Sequence, residues 1–271
     1  MKIIRRVLAQ LLIIALVTLI MTELILQTVD PLGLKYVDDL ATFYSYALPT
    51  EYGFRVPPGT YPVSNWSFTI AADGARYTPA SETAQSRQRG QRVLFVGDSV
   101  TFGWGMNDDQ TWINHIAQQL GIEAVNAGMP GFNATQILEV VRSYPDEEHI
   151  VYLSFHNDNQ VETMLQPPQP RTLRLVRLYN LLTQPPIPES DPAFSASMQT
   201  LSEDDRILIL AFDDHYGRQV SQNYGAVLIP PYTTVISVAD QHADAAGNQQ
   251  IADGALTPIS AFLEARQVTS Q

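Results

Sequence analysis

The sequence predicts an α/β domain built around a parallel sheet and preceded by an N-terminal membrane helix. From residue 92 onward, short apolar runs alternate with amphipathic helical stretches, a spacing typical of βαβ units. The first 27 residues are a basic flank followed by a long apolar run. We therefore predict three regions: a signal-anchor helix at 1–27, a stalk and lead-in segment at 28–91, and the main domain at 92–271.

Composition limits the class of protein. The chain has 271 residues, 45% of them hydrophobic, which is enough for one sizeable core. Its formal net charge is −12, and we predict no nucleic-acid partner because phosphates require basic side chains. The absence of cysteine excludes disulfides, thiolate metal sites and cysteine nucleophiles.

The first 27 residues predict a membrane partner. Lys2, Arg5 and Arg6 precede an apolar stretch from Val7 to about Leu26, and about 20 apolar residues span a bilayer as a helix. No small-residue cleavage site follows, which favours an uncleaved single-pass anchor over a cleaved signal peptide. A buried core helix fits poorly with the charged flank. Since basic residues stay in the cytoplasm, the rest of the chain is expected to be extracytoplasmic, periplasmic or at the cell surface.

The segment 28–91 is interrupted by prolines, is rich in tyrosine, and carries no recognisable chemistry. One strand is predicted at Asn65–Ile70, with a turn at Asp73–Gly74 and a polar loop at 81–91. Its aromatic residues are expected either to pack on the main domain or to lie near the membrane interface.

The main domain is predicted to hold five strands and four helices. The strands are predicted at 93–96, 122–125, 149–154, 206–212 and 226–229, and the helices at 112–120, 134–143, 171–182 and 245–266. The last helix has a possible kink before Pro258. The helix at 171–182 carries Arg171, Arg174 and Arg177, three residues apart. Three interpretations remain open for it: a solvated basic edge, which we favour, a helix resting against anionic lipid, and a lid.

The functional prediction depends on the stretch Arg92–Gly105. Its apolar run Val93–Val96 is followed directly by Gly97-Asp98-Ser99. A strand that ends in a glycine-bearing turn delivers the next polar side chain to the sheet edge where ligands bind. A serine there can act as a nucleophile if a base reaches it. The tripeptide alone is a weak signal, because all three residues are common in turns.

Two later loops also follow strand ends and are expected to reach the same edge. They are Asn126-Ala-Gly128 and His156-Asn157-Asp158. The backbone N–H of Ser99, the N–H of Gly128 and the side-chain amide of Asn157 are donors that could surround an oxyanion during acyl transfer.

The base must be one of five histidines, at 115, 149, 156, 215 and 242. His115 is expected on a helix surface and His149 before a strand. His156 could line the pocket, but strand alternation would turn it away from its neighbour Asn157. His215 and His242 remain. A helix follows His242, and Asp240 could hold its ring in the useful tautomer.

These blocks together resemble the SGNH hydrolase superfamily, also called the GDSL-type esterases and lipases, over about residues 92–266. Gly97-Asp98-Ser99 is similar to the nucleophile block, Asn126-Ala-Gly128 to the glycine block, Asn157-Asp158 to the third block, and Asp240-Gln-His242 to the Asp-His block. The anchor and residues 65–76 resemble membrane-tethered bacterial members. Two positions depart from the pattern: Phe155 replaces the glycine that opens the third block, and Asp240 stands two residues before the histidine, not three.

The resemblance implies a three-layer α/β/α sandwich with a five-stranded, mainly parallel sheet, flavodoxin-like in order. It implies a serine esterase with Ser99 as nucleophile, His242 as base and Asp240 as orienting acid. The implied oxyanion hole is formed by Ser99, Gly128 and Asn157. Acyl esters of small molecules, cell-envelope glycans or lipids are the implied substrates, and no cofactor or metal is expected.

Three alternatives remain. An O-acyltransferase would use the same residues, and a non-catalytic membrane-tethered binding domain would keep the fold. A metal site could use Asp213, Asp214, His215 and His156, although their spacing fits no known ligand motif.

Overall fold

The computed structural model describes residues 2–82, 91–160, 173–183 and 190–269, with side chains to residue 266. Five strands form one sheet in which every neighbouring pair is parallel. They are β5 (Arg92–Gly97), β6 (Glu123–Asn126), β7 (Ile150–Ser154), β8 (Ile207–Phe212) and β9 (Val227–Ile229). Their spatial order, β6-β5-β7-β8-β9, is the flavodoxin-like order. The predicted α/β fold is confirmed.

Helices cover both faces of this sheet. They are α3 (Ser99–Phe102), α4 (Trp112–Leu120), α5 (Ala134–Arg142), α6 (Arg174–Thr183), α7 (Phe194–Glu203), α8 (His215–Tyr224) and α9 (Ala245–Thr269). Helices α3, α7 and α8 are additional to the sequence prediction. Helix α9 continues through Pro258 as one helix, and Arg171 lies outside the described residues.

Strand alternation produces two apolar cores. In β5, Val93 and Phe95 face the core shared with α4 and α9, while Leu94 and Val96 face the core shared with α5 and α7. All four side chains are fully buried, as expected of parallel strands covered on both faces. Because the five strands are parallel, their carboxyl ends lie at the same edge of the sheet, and the candidate site lies at that edge.

Before the sheet come α1 (Lys2–Thr28), α2 (Tyr36–Ser45) and two antiparallel hairpins, β1 (Leu48–Thr50) with β2 (Gly53–Arg55) and β3 (Gly59–Val63) with β4 (Trp66–Ile70). The most apolar 18-residue window of helix α1 has a mean hydropathy of 2.3, and the helix is long and apolar enough to cross a membrane, as an anchor or as a signal sequence. Strand β4 matches the strand predicted at 65–70.

Described residues of the predicted lead-in segment, 28–91, pack into the core of the main domain. Phe43 and Phe68 are fully buried in the same core as Phe102 and Trp104, which follow the predicted nucleophile. The Phe43 ring lies 5.5 Å from Phe102 and 5.6 Å from Trp104, both edge-on. Described aromatic residues of the lead-in therefore form part of the core of the main domain.

Arg76 links the lead-in to the loop after Ser99. Its guanidinium is fully buried, pairs with Asp108, and donates to the carbonyl oxygens of Phe102, Gly103 and Met106. Burial lowers the pKa of Arg76 to about 10, so the group stays charged at neutral pH. A buried cation with these partners fixes the path of the loop.

Candidate active site

Ser99, His242 and Asp240 form a continuous chain of hydrogen bonds. The Ser99 Oγ lies 2.8 Å from His242 Nε2, and His242 Nδ1 lies 2.6 Å from Asp240 Oδ1. Ser99 is 6% exposed and Asp240 is 4% exposed, so the carboxylate is shielded while the imidazole reaches the cavity. In this order a base can take the hydroxyl proton, and the carboxylate can hold the ring in the required tautomer.

Local structure fixes each end of this chain. Asp240 Oδ2 accepts from the Trp104 indole at 3.2 Å, and the Asp240 N–H donates to Ser237 Oγ at 3.0 Å. The His242 N–H donates to Asp240 Oδ1 at 3.2 Å. The two-residue spacing that departs from the family pattern therefore places Asp240 in contact with His242 through both backbone and ring.

The serine is presented by a tight turn after β5. Gly97 has φ = 152°, and a Cβ there would lie 2.1 Å from Thr101 Oγ1, which explains the need for glycine. Asp98 is fully buried and accepts from the Val100 N–H at 2.9 Å, as the cap of α3. Burial raises the pKa of Asp98, against the opposing effects of that N–H and of the nearby His242.

Asn157 lies in the cavity wall, in the turn after β7. Its Oδ1 is buried and has no hydrogen-bond partner among the described residues. The turn is held by Asp158 Oδ2, which accepts from the Phe155 N–H at 2.9 Å, from Ser154 Oγ at 3.1 Å and from the Tyr152 hydroxyl. Burial raises the pKa of Asp158 well above its ordinary range, and the nearby Asp98 acts in the same direction.

Gly128 is buried behind the serine turn. Its N–H donates to Asn126 Oδ1 at 3.1 Å, and a Cβ at this position would lie 2.4 Å from the backbone nitrogen of Phe102. The cavity wall next to it is formed by Pro130 and Gly131. For Gly128 to stabilise an oxyanion, its N–H would have to share or exchange the Asn126 acceptor.

The cavity beside Ser99 has a volume of about 310 Å³. It is lined mainly by rings and by the triad; the larger wall residues are Tyr36, Leu40, Tyr44, Trp104, Phe155 and Tyr232. Phe155 packs edge-on against Phe212 at 5.9 Å, so the side chain that replaces the family glycine forms a wall. Burial raises the pKa of Tyr232 to about 12, which keeps its hydroxyl neutral.

Sequence reasoning missed the contribution of the lead-in to this cavity. Tyr36, Leu40 and Tyr44 recur every four residues along α2 and therefore share the face that lines the wall. The N–H of Ala239, the residue before Asp240, donates to Leu32 O at 2.9 Å. The i, i+4 spacing in α2 was the available signal, but the sequence did not show what that face would meet.

The other histidines are placed differently. His156 lies in a turn and lines the cavity, which corrects the argument from strand alternation, and burial lowers its pKa. His215 begins α8 and contacts Gln219. The alternative metal cluster is not assembled: Asp213 pairs with Arg218, and Asp214 caps α8. Within the described ranges, no group of three or more His, Cys, Asp or Glu could hold a metal ion.

Comparisons with solved structures give partial similarities. An esterase, EstA, from Pseudoalteromonas sp. is 12% identical, with a TM-score of 0.43, over 64% of this chain and 99% of its own. A member of the lipolytic protein G-D-S-L family from Veillonella parvula is 13% identical, with a TM-score of 0.41, over 62% and 97%. A carbohydrate acetylesterase family member from Sinorhizobium meliloti is 15% identical, with a TM-score of 0.38, over 64% and 99%.

No protein-family model matches the chain, and no curated protein matches it. At identities of 12–15% and TM-scores of 0.38–0.43, the similarity does not by itself assign an activity. The activity must be argued from the residues of the site.

Proposed function

We propose that the protein is a serine esterase of the SGNH type that hydrolyses a carboxylic ester. One observation carries the proposal: Ser99 Oγ, His242 and Asp240 are linked by hydrogen bonds of 2.8 and 2.6 Å at the edge of a cavity. A serine hydroxyl becomes a useful nucleophile only when a base lies within hydrogen-bond reach and is itself oriented. This geometry also argues against a non-catalytic binding domain, which has no need of it.

In the proposed reaction, Ser99 Oγ attacks the ester carbonyl while His242 Nε2 takes its proton. The tetrahedral oxyanion is stabilised by the Ser99 N–H and the Asn157 amide, with Gly128 as a third donor once its N–H is released from Asn126. His242 returns the proton to the leaving alcohol. Water, deprotonated by the same ring, then attacks the acyl-serine, and His242 passes that proton to Ser99 Oγ as the acid is released. Transfer of the acyl group to an acceptor hydroxyl would follow the same steps.

The cavity favours a short acyl group. At about 310 Å³ it is at the lower end of ligand-binding cavities. Its walls, among them Phe155 and Trp104, are bulky, and we propose that they limit the acyl group beside Ser99 to an acetyl to butyryl chain. We therefore propose an acetyl or short acyl ester of a cell-envelope glycan or lipid as the substrate class. The cell envelope is chosen because the proposed membrane anchor would hold the domain there.

The test uses Ser99→Ala. The wild type should hydrolyse p-nitrophenyl acetate and butyrate faster than the palmitate ester, and a fluorophosphonate probe should label Ser99. The variant should lose both hydrolysis and labelling while its melting temperature is unchanged. Unchanged turnover in the variant would disprove the assignment, and a wild type that binds esters without labelling would indicate a binding domain.

We also propose that α1 anchors the protein with its C-terminal domain outside the cytoplasm. Lys2, Arg5 and Arg6 precede the apolar part of α1 and predict this orientation. Because the chain has no cysteine, a single exposed cysteine in place of Asp146 should react with a membrane-impermeant maleimide in intact spheroplasts. Reaction only after lysis would reverse the orientation.

A further inference from the structure

Helix α6 has the reverse of the usual surface pattern. Its exposed large side chains are Leu173 at its start, 55% exposed, Val176 at 42%, Tyr179 at 65% and Leu182 at 74%. Arg177, which a soluble helix would turn to water, is 6% exposed. A surface helix normally buries its apolar stripe and exposes its charges. Here four large apolar side chains are exposed, beside the polar Asn180 and Thr183, while Arg174 and Arg177 face the protein.

The arginines fix this orientation. Arg174 and Arg177 both pair with Asp38 on α2, at 2.7 and 2.6 Å, and Arg177 also donates to Leu34 O at 3.1 Å. For Arg174 and Arg177, this overturns the favoured interpretation of a solvated basic edge and the interpretation in which they meet anionic lipid; Arg171 lies outside the described residues. Because both cations are directed inward, α6 cannot turn its apolar face to the protein without breaking these pairs.

A second contact sets the position of α6 along α1. The backbone N–H groups of Arg174 and Leu175 donate to the two carboxylate oxygens of Glu23, each at 2.9 Å. Glu23 lies five residues before the end of α1 at Thr28, which is about 7.5 Å along a helix. The start of α6 is therefore level with the last turns of the apolar helix, not with the sheet. A carboxylate is costly near lipid unless it is paired, and these N–H groups satisfy it.

We infer that α6 lies in the outer interface of the lipid bilayer, with Leu173, Val176, Tyr179 and Leu182 contacting lipid. The inference rests on the proposal that α1 crosses the membrane. Given that, the Glu23 contact holds α6 at the level where acyl chains meet headgroups, and the exposed face is of the kind that binds there. Tyrosine is favoured at this level because its ring is apolar and its hydroxyl is polar. The contact is apolar and does not require anionic lipid.

Helix α6 is also connected to the candidate site, through α2. Asp38, which holds α6, lies on the helix that places Tyr36 and Leu40 in the cavity wall. Membrane contact at α6 would therefore orient the wall of the cavity relative to the bilayer, in addition to tethering the chain through α1.

The test uses the full-length protein in phosphatidylcholine vesicles, with single cysteines carrying an environment-sensitive fluorophore. Val176→Cys and Tyr179→Cys report on α6, Leu12→Cys reports on α1, and Asp146→Cys, exposed at the opposite edge of the sheet, is the matched control. Labels at 176 and 179 should be quenched by lipids that carry a quencher near the headgroup, with blue-shifted emission. The label at 146 should show neither effect. All variants should retain p-nitrophenyl acetate hydrolysis.

The outcomes separate the two proposals. One outcome would overturn the inference about α6 alone. In that outcome the label at position 12 is quenched, while the labels at 176 and 179, like that at 146, show neither quenching nor a blue shift. No quenching at position 12 would overturn the anchor and the inference with it, while leaving the esterase proposal untouched. Quenching at 176 and 179 that appears only when phosphatidylglycerol is added would overturn the apolar contact. Crosslinking of 176 to a second protein, without lipid quenching, would assign the face to a protein partner instead.

Discussion

Trp104 and Asp240, 136 positions apart in the chain, are joined by a hydrogen bond across the candidate active site. The indole Nε1 donates to Asp240 Oδ2 at 3.2 Å, while the other carboxylate oxygen faces His242 Nδ1. The Trp104 ring also lies 5.8 Å from the His242 ring. Trp104 follows the nucleophile in the chain, so the loop that carries the serine also positions the acid.

Trp104→Phe should lower kcat for p-nitrophenyl acetate about tenfold or more, because a hydrogen bond to a charged acceptor is worth roughly 1.5–3 kcal/mol. The loss should appear mainly in kcat, since the indole acts on the base through Asp240, and any change in KM would report on the place of Trp104 in the cavity wall. Steady-state kinetics at several pH values measure both. In an Asp240→Asn background the same substitution should cost almost nothing, since the coupled pair is already broken.

Trp66→Phe is the matched control for this experiment. Trp66 packs edge-on against Trp104 at 5.2 Å in the same aromatic cluster, but it belongs to the lead-in hairpin. Equal losses in the two variants would show that packing in the cluster, and not the hydrogen bond to Asp240, is responsible.

Asn157→Ala should lower kcat on the order of 10²–10³-fold with little change in KM, as loss of an oxyanion donor does. Stability should also fall, by roughly 1–3 kcal/mol, because the Asn157 side chain donates to the buried Asp98 carboxylate, so kcat is measured well below the melting temperature of the variant. Gln160→Ala, a neighbouring carboxamide in the cavity wall, provides the control. If Asn157→Ala lowered kcat only as much as Gln160→Ala does, Asn157 would not be an oxyanion donor.

Arg76→Lys should lower the free energy of unfolding by about 2–4 kcal/mol. Lysine cannot reach the carbonyl groups of Phe102, Gly103 and Met106 together, and each buried acceptor left unpaired costs roughly 1–3 kcal/mol. Urea unfolding followed by fluorescence measures the change. Arg92→Lys, at a half-exposed ion pair with Glu147, should change it by less than about 1 kcal/mol. Similar values for both would contradict the structural role of Arg76.

The sequence was sufficient to predict the sheet, because its strands are apolar runs that end in polar or glycine turns. Strands β5 to β9 lie within two residues of their predicted bounds. The convergence of Ser99 and His242 followed from family blocks, and their distance of 2.8 Å agrees with it. The roles of these residues in catalysis remain predictions.

The features that the sequence did not predict depend on contacts between residues far apart in the chain. Arg76 reads as an ordinary charge before a polar loop, and only the fold shows that it holds the turn after the nucleophile. The helix at 174–183 was expected to expose its arginines, because the sequence could not show that Asp38 would receive them. Helix α8 is polar and its apolar positions are few, so its periodicity did not predict a helix.

Asp158→Asn should change how stability depends on pH. Burial raises the pKa of Asp158 above its usual 3.8, so the folded state binds more protons than the unfolded state above that pH. Wild-type stability from this group therefore falls as pH rises from 3.8 toward the raised pKa. The asparagine does not titrate, so the free energy of unfolding of the variant, minus that of the wild type, should increase with pH over this interval.

Urea unfolding at pH 5 and pH 8 checks this expectation. Asp146→Asn, at an exposed position, corrects for the loss of one negative charge. A difference that is the same at both pH values would show that the buried carboxyl titrates normally.

Two truncations should separate the anchor from the part of the lead-in that completes the site. A chain that begins at Thr22 keeps the Glu23 contact and the buried Leu26, and should retain p-nitrophenyl acetate hydrolysis. A chain that begins at Tyr46 loses Phe43, whose burial alone is worth about 3–5 kcal/mol, and the Leu32 contact with the histidine loop. It should lose activity and stability together. Full activity in the chain that begins at Tyr46 would show that residues 29–45 act only as a stalk.

Leu40→Ala in the full-length chain tests the same contribution without removing any segment. If Leu40 forms the cavity wall, removing its side chain enlarges the acyl site, and kcat/KM for p-nitrophenyl butyrate should rise relative to that for the acetate. Leu48→Ala removes an equal side chain that is 47% exposed in β1, outside the cavity, and should leave the ratio unchanged. An unchanged ratio in Leu40→Ala would mean that α2 does not limit the acyl chain, and the short-acyl preference would then have to come from Phe155.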